Sequence, residues 1–167
     1  MTDGKHEVHG QIASHGSEGH HHYYRLLAMV ILSFVAMYTL MYAMVNSFAN
    51  VYNNVNQFYM AGLMAAPMAL IELALMSSMY REKRLNNIAG VPSIVALVVF
   101  FLLIRQQTAV TDSQFLRSMI PHHAGAILMC EKSPAQSAEI KELCKTIVSS
   151  QESEIRQMKS MLDGLAR

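Results

Sequence analysis

Twenty consecutive residues without a charge, 26–45, constrain this chain more than any other stretch in it. Buried in hydrocarbon, a backbone must satisfy its own N–H and C=O groups, and a helix of ~20 apolar residues at 1.5 Å per residue does this across a bilayer. Tyr23 and Tyr24 stand at the mouth of the run, where interfacial aromatics sit. Ser47-Phe48-Ala49 resembles a small-x-small cleavage site, but the apolar region is too long, and what precedes it too weakly basic, for a cleaved signal peptide. The run reads as a signal anchor.

Two further spans follow. Residues 58–80 are framed by Tyr59 and Tyr80 and contain Pro67, which a membrane helix tolerates. Residues 88–104 begin near Pro92 and are closed by Arg105, at the short end of the ~17–25 residues a span requires. An uncharged, Asn-rich loop (46–57) and a compact basic loop, Arg81-Glu82-Lys83-Arg84, separate the three. The composition agrees with a membrane protein: 52% of the chain is hydrophobic and 15% charged, against about 25% charged in soluble domains. A net charge of +1 without a basic block excludes nucleic acid as a partner.

Orientation follows from the basic residues. Lys5, Arg25, Arg81, Lys83 and Arg84 fall on one side of the membrane, and only Arg105 and Arg117 flank it on the other. The positive-inside rule makes the basic loop cytoplasmic, with the N-terminus inside and residues 106–167 outside. In a bacterium this is a multi-pass protein of the inner membrane with a periplasmic C-terminal domain. The domains expected are a disordered His-rich tail (1–22), a three-span anchor (23–105) and an extracytoplasmic helical domain (106–167). The tail holds His6, His9, His15, His20, His21 and His22 and either binds divalent metal weakly or is simply solvated.

Residues 106–167 read as two helices. Thr111 or Asp112 caps the first, which runs to about Lys132 and contains Pro121, where a kink is expected. Ser133–Gln136 form the turn, and the second helix runs from about Ser137 to Asp163, with Gly164 as a stop signal. A hairpin of this size is marginal alone, so a homodimer forming a four-helix bundle is expected. The fold class is therefore all-α, three transmembrane helices followed by a helical hairpin.

The chemistry concentrates in FLRSMIPHHAGAILMC, Phe115–Cys130. At helical spacing Met119, His122, Ala126 and Met129 share one stripe, and His123, Ile127 and Cys130 the next. Thioether and imidazole donors suit monovalent copper. Folding the hairpin about residues 134–135 sets Gln151 and Glu154 against the Met119–His123 turn, with Met158 a turn beyond. Glu154 or Gln151 is placed to orient a ligand histidine. Singly, each methionine is as well explained by core packing. The same register offsets Cys130 from Cys144 by about 7 Å along the axis, which argues against a disulfide. Cys130 is then a buried free thiol, or with Met129 a second soft site. In the spans, Met37, Met41 and Met44 share a face, and Met60, Met64, Met68, Glu72 and Met76 recur every fourth residue. That row is either ordinary packing around a protonated or paired Glu72, or a path for copper or protons.

Two segments carry a resemblance: Phe115–Ile127 (FLRSMIPHHAGAI) and Ser150–Lys159 (SQESEIRQMK). They are similar to the domain-of-unknown-function 305 family, a ferritin-like, four-helix group that includes periplasmic copper-binding proteins. The resemblance covers about 106–165 and implies metal-linked positions at Met119, His122, His123, Met129, Gln151, Glu154 and Met158, with copper as Cu(I), or silver, the ion held. Many members carry the hairpin twice, whereas this chain has it once, which again favours a homodimer. Di-iron ferritin-like enzymes use Glu-x-x-His pairs; none occurs between 106 and 167, so no enzymatic activity is expected. The function implied is a membrane-anchored copper- or silver-binding protein of metal homeostasis or resistance. The alternative is a structural or sensory membrane protein whose hairpin mediates dimerisation.

Overall fold

The computed structural model describes residues 4–76, 80 and 82–165, with side chains from residue 21 onward. Among the described residues every regular element is helical: α1 (Gly4–Leu40), α2 (Val55–Leu75), α3 (Lys83–Gln106), α4 (Asp112–Lys132) and α5 (Ala138–Leu165), with 3-10 turns at Met41–Met44 and Phe48–Asn50. Among the described residues three helices are, by length and composition, long and apolar enough to cross a membrane: His21–Met44, Val55–Leu75 and Lys83–Gln106. The third is 24 residues long, longer than its apolar run. Lys83 and Arg84 are good helix formers whose stems can lie along apolar surface while their charges reach water. The helical backbone of α1 also runs back to Gly4, into the segment expected to be a disordered tail; once a helix is nucleated, extending it is cheap. The side chains of His6, His9, His15 and His20 lie outside the described residues, as do Arg81 of the basic loop and residues 77–79 of the second expected span.

The chain divides into two compact units: Met1–Met37 with Ala61–Leu102, and Tyr38–Met60 with Leu103–Arg167. In the first, Leu26, Ala69 and Tyr80 are buried together. Tyr23 donates its hydroxyl to Asn86 Oδ1 at 2.6 Å, and Asn86 Nδ2 donates to the Tyr80 carbonyl at 2.8 Å. The Tyr80 hydroxyl lies 3.5 Å from Glu72 Oε1, which gives that carboxyl a partner. Gly62 lets the Phe100 ring approach the α2 backbone, since a Cβ there would stand 2.5 Å from the ring.

The second unit carries the histidine pair and the methionines of the hairpin. Thr111 caps α4, its side chain accepting from the Gln114 N–H. The helix continues through Pro121 to Lys132. Instead of stopping at Gly164, α5 extends to Leu165; among the described residues no glycine has positive φ, and a helical glycine costs only about 1 kcal/mol relative to alanine. The core of this unit is Leu116, Ile120, Ala124 and Ile127 from α4 against Ile155 and Met158 from α5.

Two features differ from the sequence-based expectation. First, Val45 and Tyr52 pack on that core, so the segment between the first two spans supplies part of what the hairpin cannot bury alone. One bond within the segment and two to the hairpin accompany this packing. Asn54 Oδ1 accepts from the Gln57 N–H at 2.8 Å, Gln114 Oε1 accepts from the Val55 N–H at 2.9 Å, and Lys159 Nζ donates to the Ala49 carbonyl at 3.0 Å. Second, the hairpin register is displaced. His123 meets Glu154, in keeping with the expected facing of Glu154 on the Met119–His123 turn, whereas residue-for-residue counting about 134–135 would set His123 about two turns nearer the start of α5. The non-helical stretch 133–137 carries the chain past the end of α4 before α5 starts. Ile140 and Leu143, near the start of α5, are 48% and 57% exposed.

Candidate metal site

Successive residues on a helix project about 100° apart, and at the histidine pair this rotation separates two environments. His123 faces α5 and is buried. Its Nδ1 lies 2.9 Å from the Met119 carbonyl oxygen and its Nε2 lies 2.7 Å from Glu154 Oε2. Both partners are acceptors, a carbonyl and a carboxylate. The two bonds coexist only if the ring carries a proton on each nitrogen, or if Glu154 is itself protonated. A ring so engaged on both nitrogens has no lone pair to give a metal. The Ser150 hydroxyl donates to Glu154 Oε1 at 2.8 Å. That bond first, and the His123 bond second, hold the Glu154 carboxyl below its ordinary range.

His122 projects to the other side. It lines a cavity of ~460 Å³ together with Met119 and Met129 from α4, Met41 and Met44 from the 3-10 turn that ends the first span, and Met60 from α2. All six belong to the second compact unit. The rings of His122 and His123 are 6.1 Å apart and steeply inclined. Gly125 permits the close approach of α4 to the turn: a Cβ there would stand 3.4 Å from the Met44 carbonyl oxygen. Asn56 also lines the cavity, and its Oδ1 is buried without a hydrogen-bond partner.

Of the seven sequence-derived positions, Met119, His122 and Met129 meet at this cavity, and His123 and Glu154 bond to each other inside the hairpin. Met158 is core, packed with Leu116, Ile120 and Ile155, and Gln151 is half-buried on α5 away from the cavity lining. Met41, Met44 and Met60 were not among the seven. Their signal, methionines recurring on one face of each span, is in the sequence, but nothing local says that this segment folds onto α4. Further along the row, Met64 and Met76 are outside the cavity lining.

Among the described residues no three His, Cys, Asp or Glu side chains cluster as a metal site. The cavity lining instead holds five thioethers and one imidazole beside the neutral oxygen and amide groups of Tyr42, Asn54, Asn56, Gln57 and Ser118. Thioethers are poor ligands for hard divalent ions and select soft monovalent ones. The donor set therefore fits Cu(I) or Ag(I).

No solved structure matches the chain. An uncharacterized protein of Acanthamoeba polyphaga mimivirus is 35% identical over 141 residues, covering 83% of this chain and 91% of that one. The family model described as "Domain of unknown function (DUF305)" matches residues 56–162, which take in Met60, all of α4 and nearly all of α5. The chain belongs to the DUF305 family.

Proposed function

We propose that this chain is a membrane-anchored copper- or silver-binding protein of metal homeostasis or resistance. It holds or hands on the monovalent ion at the membrane surface opposite the Arg81–Arg84 loop, which in a bacterial cell is the periplasmic face of the inner membrane. One observation carries the reading: Met119, His122 and Met129 share a cavity with Met41, Met44 and Met60. Six soft or borderline donors around a single void are more than apolar packing requires, and they suit an ion that exchanges between ligands. His123 and Glu154 act beside the site, locking α4 to α5 so that His122 is presented to the cavity. The ion is cargo, and no chemistry beyond its capture and release is assigned.

His122→Ala in the full chain in detergent micelles tests this in a competitive chelator titration with Cu(I). The proposal expects the affinity to fall; an unchanged affinity sinks it.

A second reading has its own observation. Met129, Ile140 and Leu143 leave half-exposed apolar surface near the hairpin turn, which a second copy would cover. A structural or sensory role through dimerisation predicts a dimer mass in ultracentrifugation that ignores metal and a dispensable His122.

A further inference from the structure

We propose that Cys130 and Cys144 form a separate soft-metal seat, a two-thiolate site for one Cu(I) or Ag(I) ion at the loop end of the hairpin. Cys130 lies in the last turn of α4 and Cys144 in the second turn of α5. The register of the hairpin sets both on the lining of one open cleft, Cys130 contributed by α4 and Cys144 by α5. Both are half-buried, held in place yet reachable from solvent. The site is distinct from the methionine cavity: Met129 turns into that cavity, and Cys130, one residue on, turns toward α5.

The surroundings select the ion. Zinc in a protein takes four donors, and here two thiols and Glu152 are the donors of the usual kind on the cleft. A closed-shell monovalent ion accepts two thiolates in line and needs nothing more. Binding replaces two S–H protons, M⁺ + 2 RSH giving [M(SR)₂]⁻ and 2 H⁺, with no change of oxidation state. The complex carries one negative charge. Lys141 and Lys145 line the same cleft, and although Lys145 also reaches Glu142 at 3.0 Å, the two ammonium groups offset it.

The test uses the full chain in detergent micelles with a phosphine reductant, titrated with Ag(I) and, in parallel, zinc. Two readouts are followed: ultraviolet sulfur-to-metal charge-transfer absorption, and the rate of alkylation at each cysteine by mass spectrometry. The site predicts absorption saturating at one silver ion per chain and at least tenfold slower alkylation of both cysteines together. Zinc should protect neither. Cys130→Ser and Cys144→Ser should each abolish the absorption, whereas His122→Ala should leave it, which separates this site from the cavity. Free alkylation of both thiols at one equivalent of silver overturns the proposal, and needs no variant to fold. Absorption surviving in either serine variant, or lost in His122→Ala, overturns it as well.

Discussion

Replacing Met41, Met44 and Met60 together by leucine removes half of the six soft donors around the cavity while leaving its volume nearly unchanged. Methionine-to-leucine is a volume-conserving exchange that typically costs under about 1.5 kcal/mol in a packed core. Met44 and Met60 are 50% and 38% exposed, so the cost here lies toward the low end and the fold survives. The cost in metal binding is larger. Partners one step removed from a bound metal are worth roughly 10–100-fold in affinity, and direct donors at least the upper part of that range. A 100-fold loss corresponds to about 2.7 kcal/mol, well above the error of a competitive chelator titration. The triple variant and the parent chain, both in detergent, would be titrated with Cu(I) against the same chelator, with helicity followed by circular dichroism. The expected outcome is a dissociation constant about two orders of magnitude weaker at unchanged helicity. If the triple variant binds like the parent while His122→Ala weakens binding, the ion is held by the hairpin alone, and the reasoning that joins the span ends to α4 is wrong.

Three further outcomes follow from the same geometry. Ile120→Ala removes a side chain with no solvent exposure from the centre of the hairpin core, and should cost 2–5 kcal/mol; a loss under about 1 kcal/mol in denaturant unfolding would mean that the α4–α5 core is not packed as described. The Glu154 carboxyl is held below its ordinary range chiefly by Ser150 and then by His123. The folded state thus binds fewer protons, and this contribution is full above the ordinary carboxylate range and lost as pH falls from there through the lowered folded-state value. The stability gap between parent and Glu154→Gln should therefore close in acid, and a gap independent of pH would contradict it. With three spans, a cysteine placed at Ser14 in a chain otherwise free of cysteine should react with an impermeant maleimide only from the side bearing the Arg81–Arg84 loop, and native Cys144 only from the other. Labelling of both from one side would remove a span.

Much of the architecture is legible from local sequence. Charge-free runs of span length, Thr111 at an N-cap position and the stripe containing His123 and Ile127 each announce an element, because helix length, capping and periodicity depend on neighbours within a turn or two. Helix ends are less legible. Gly164 did not stop α5, and Lys83 and Arg84 joined α3, because a weak local preference yields to a continuing helix. Register is less legible: the turn itself differs by one residue from the expected Ser133–Gln136, and Glu154 does face the Met119–His123 turn, but simple counting about 134–135 does not give the pairing that sets Cys130 and Cys144 on one cleft.

The sequence by itself determined which donors the chain possesses and which helical stripes carry them: Met119, His122 and Met129 on one, His123 and Cys130 on the next. Only the tertiary structure decided which of them meet. Burial against α5 drew His123 inward to Glu154 and turned His122 outward, since two adjacent residues on a helix cannot face the same way. The 38–60 segment, docked by Val45, Tyr52 and its amide bonds, then brought Met41, Met44 and Met60 to His122 across some sixty residues of chain or more. Such a contact depends on how several apolar surfaces are shared between elements distant in sequence, and no window of neighbouring residues encodes it.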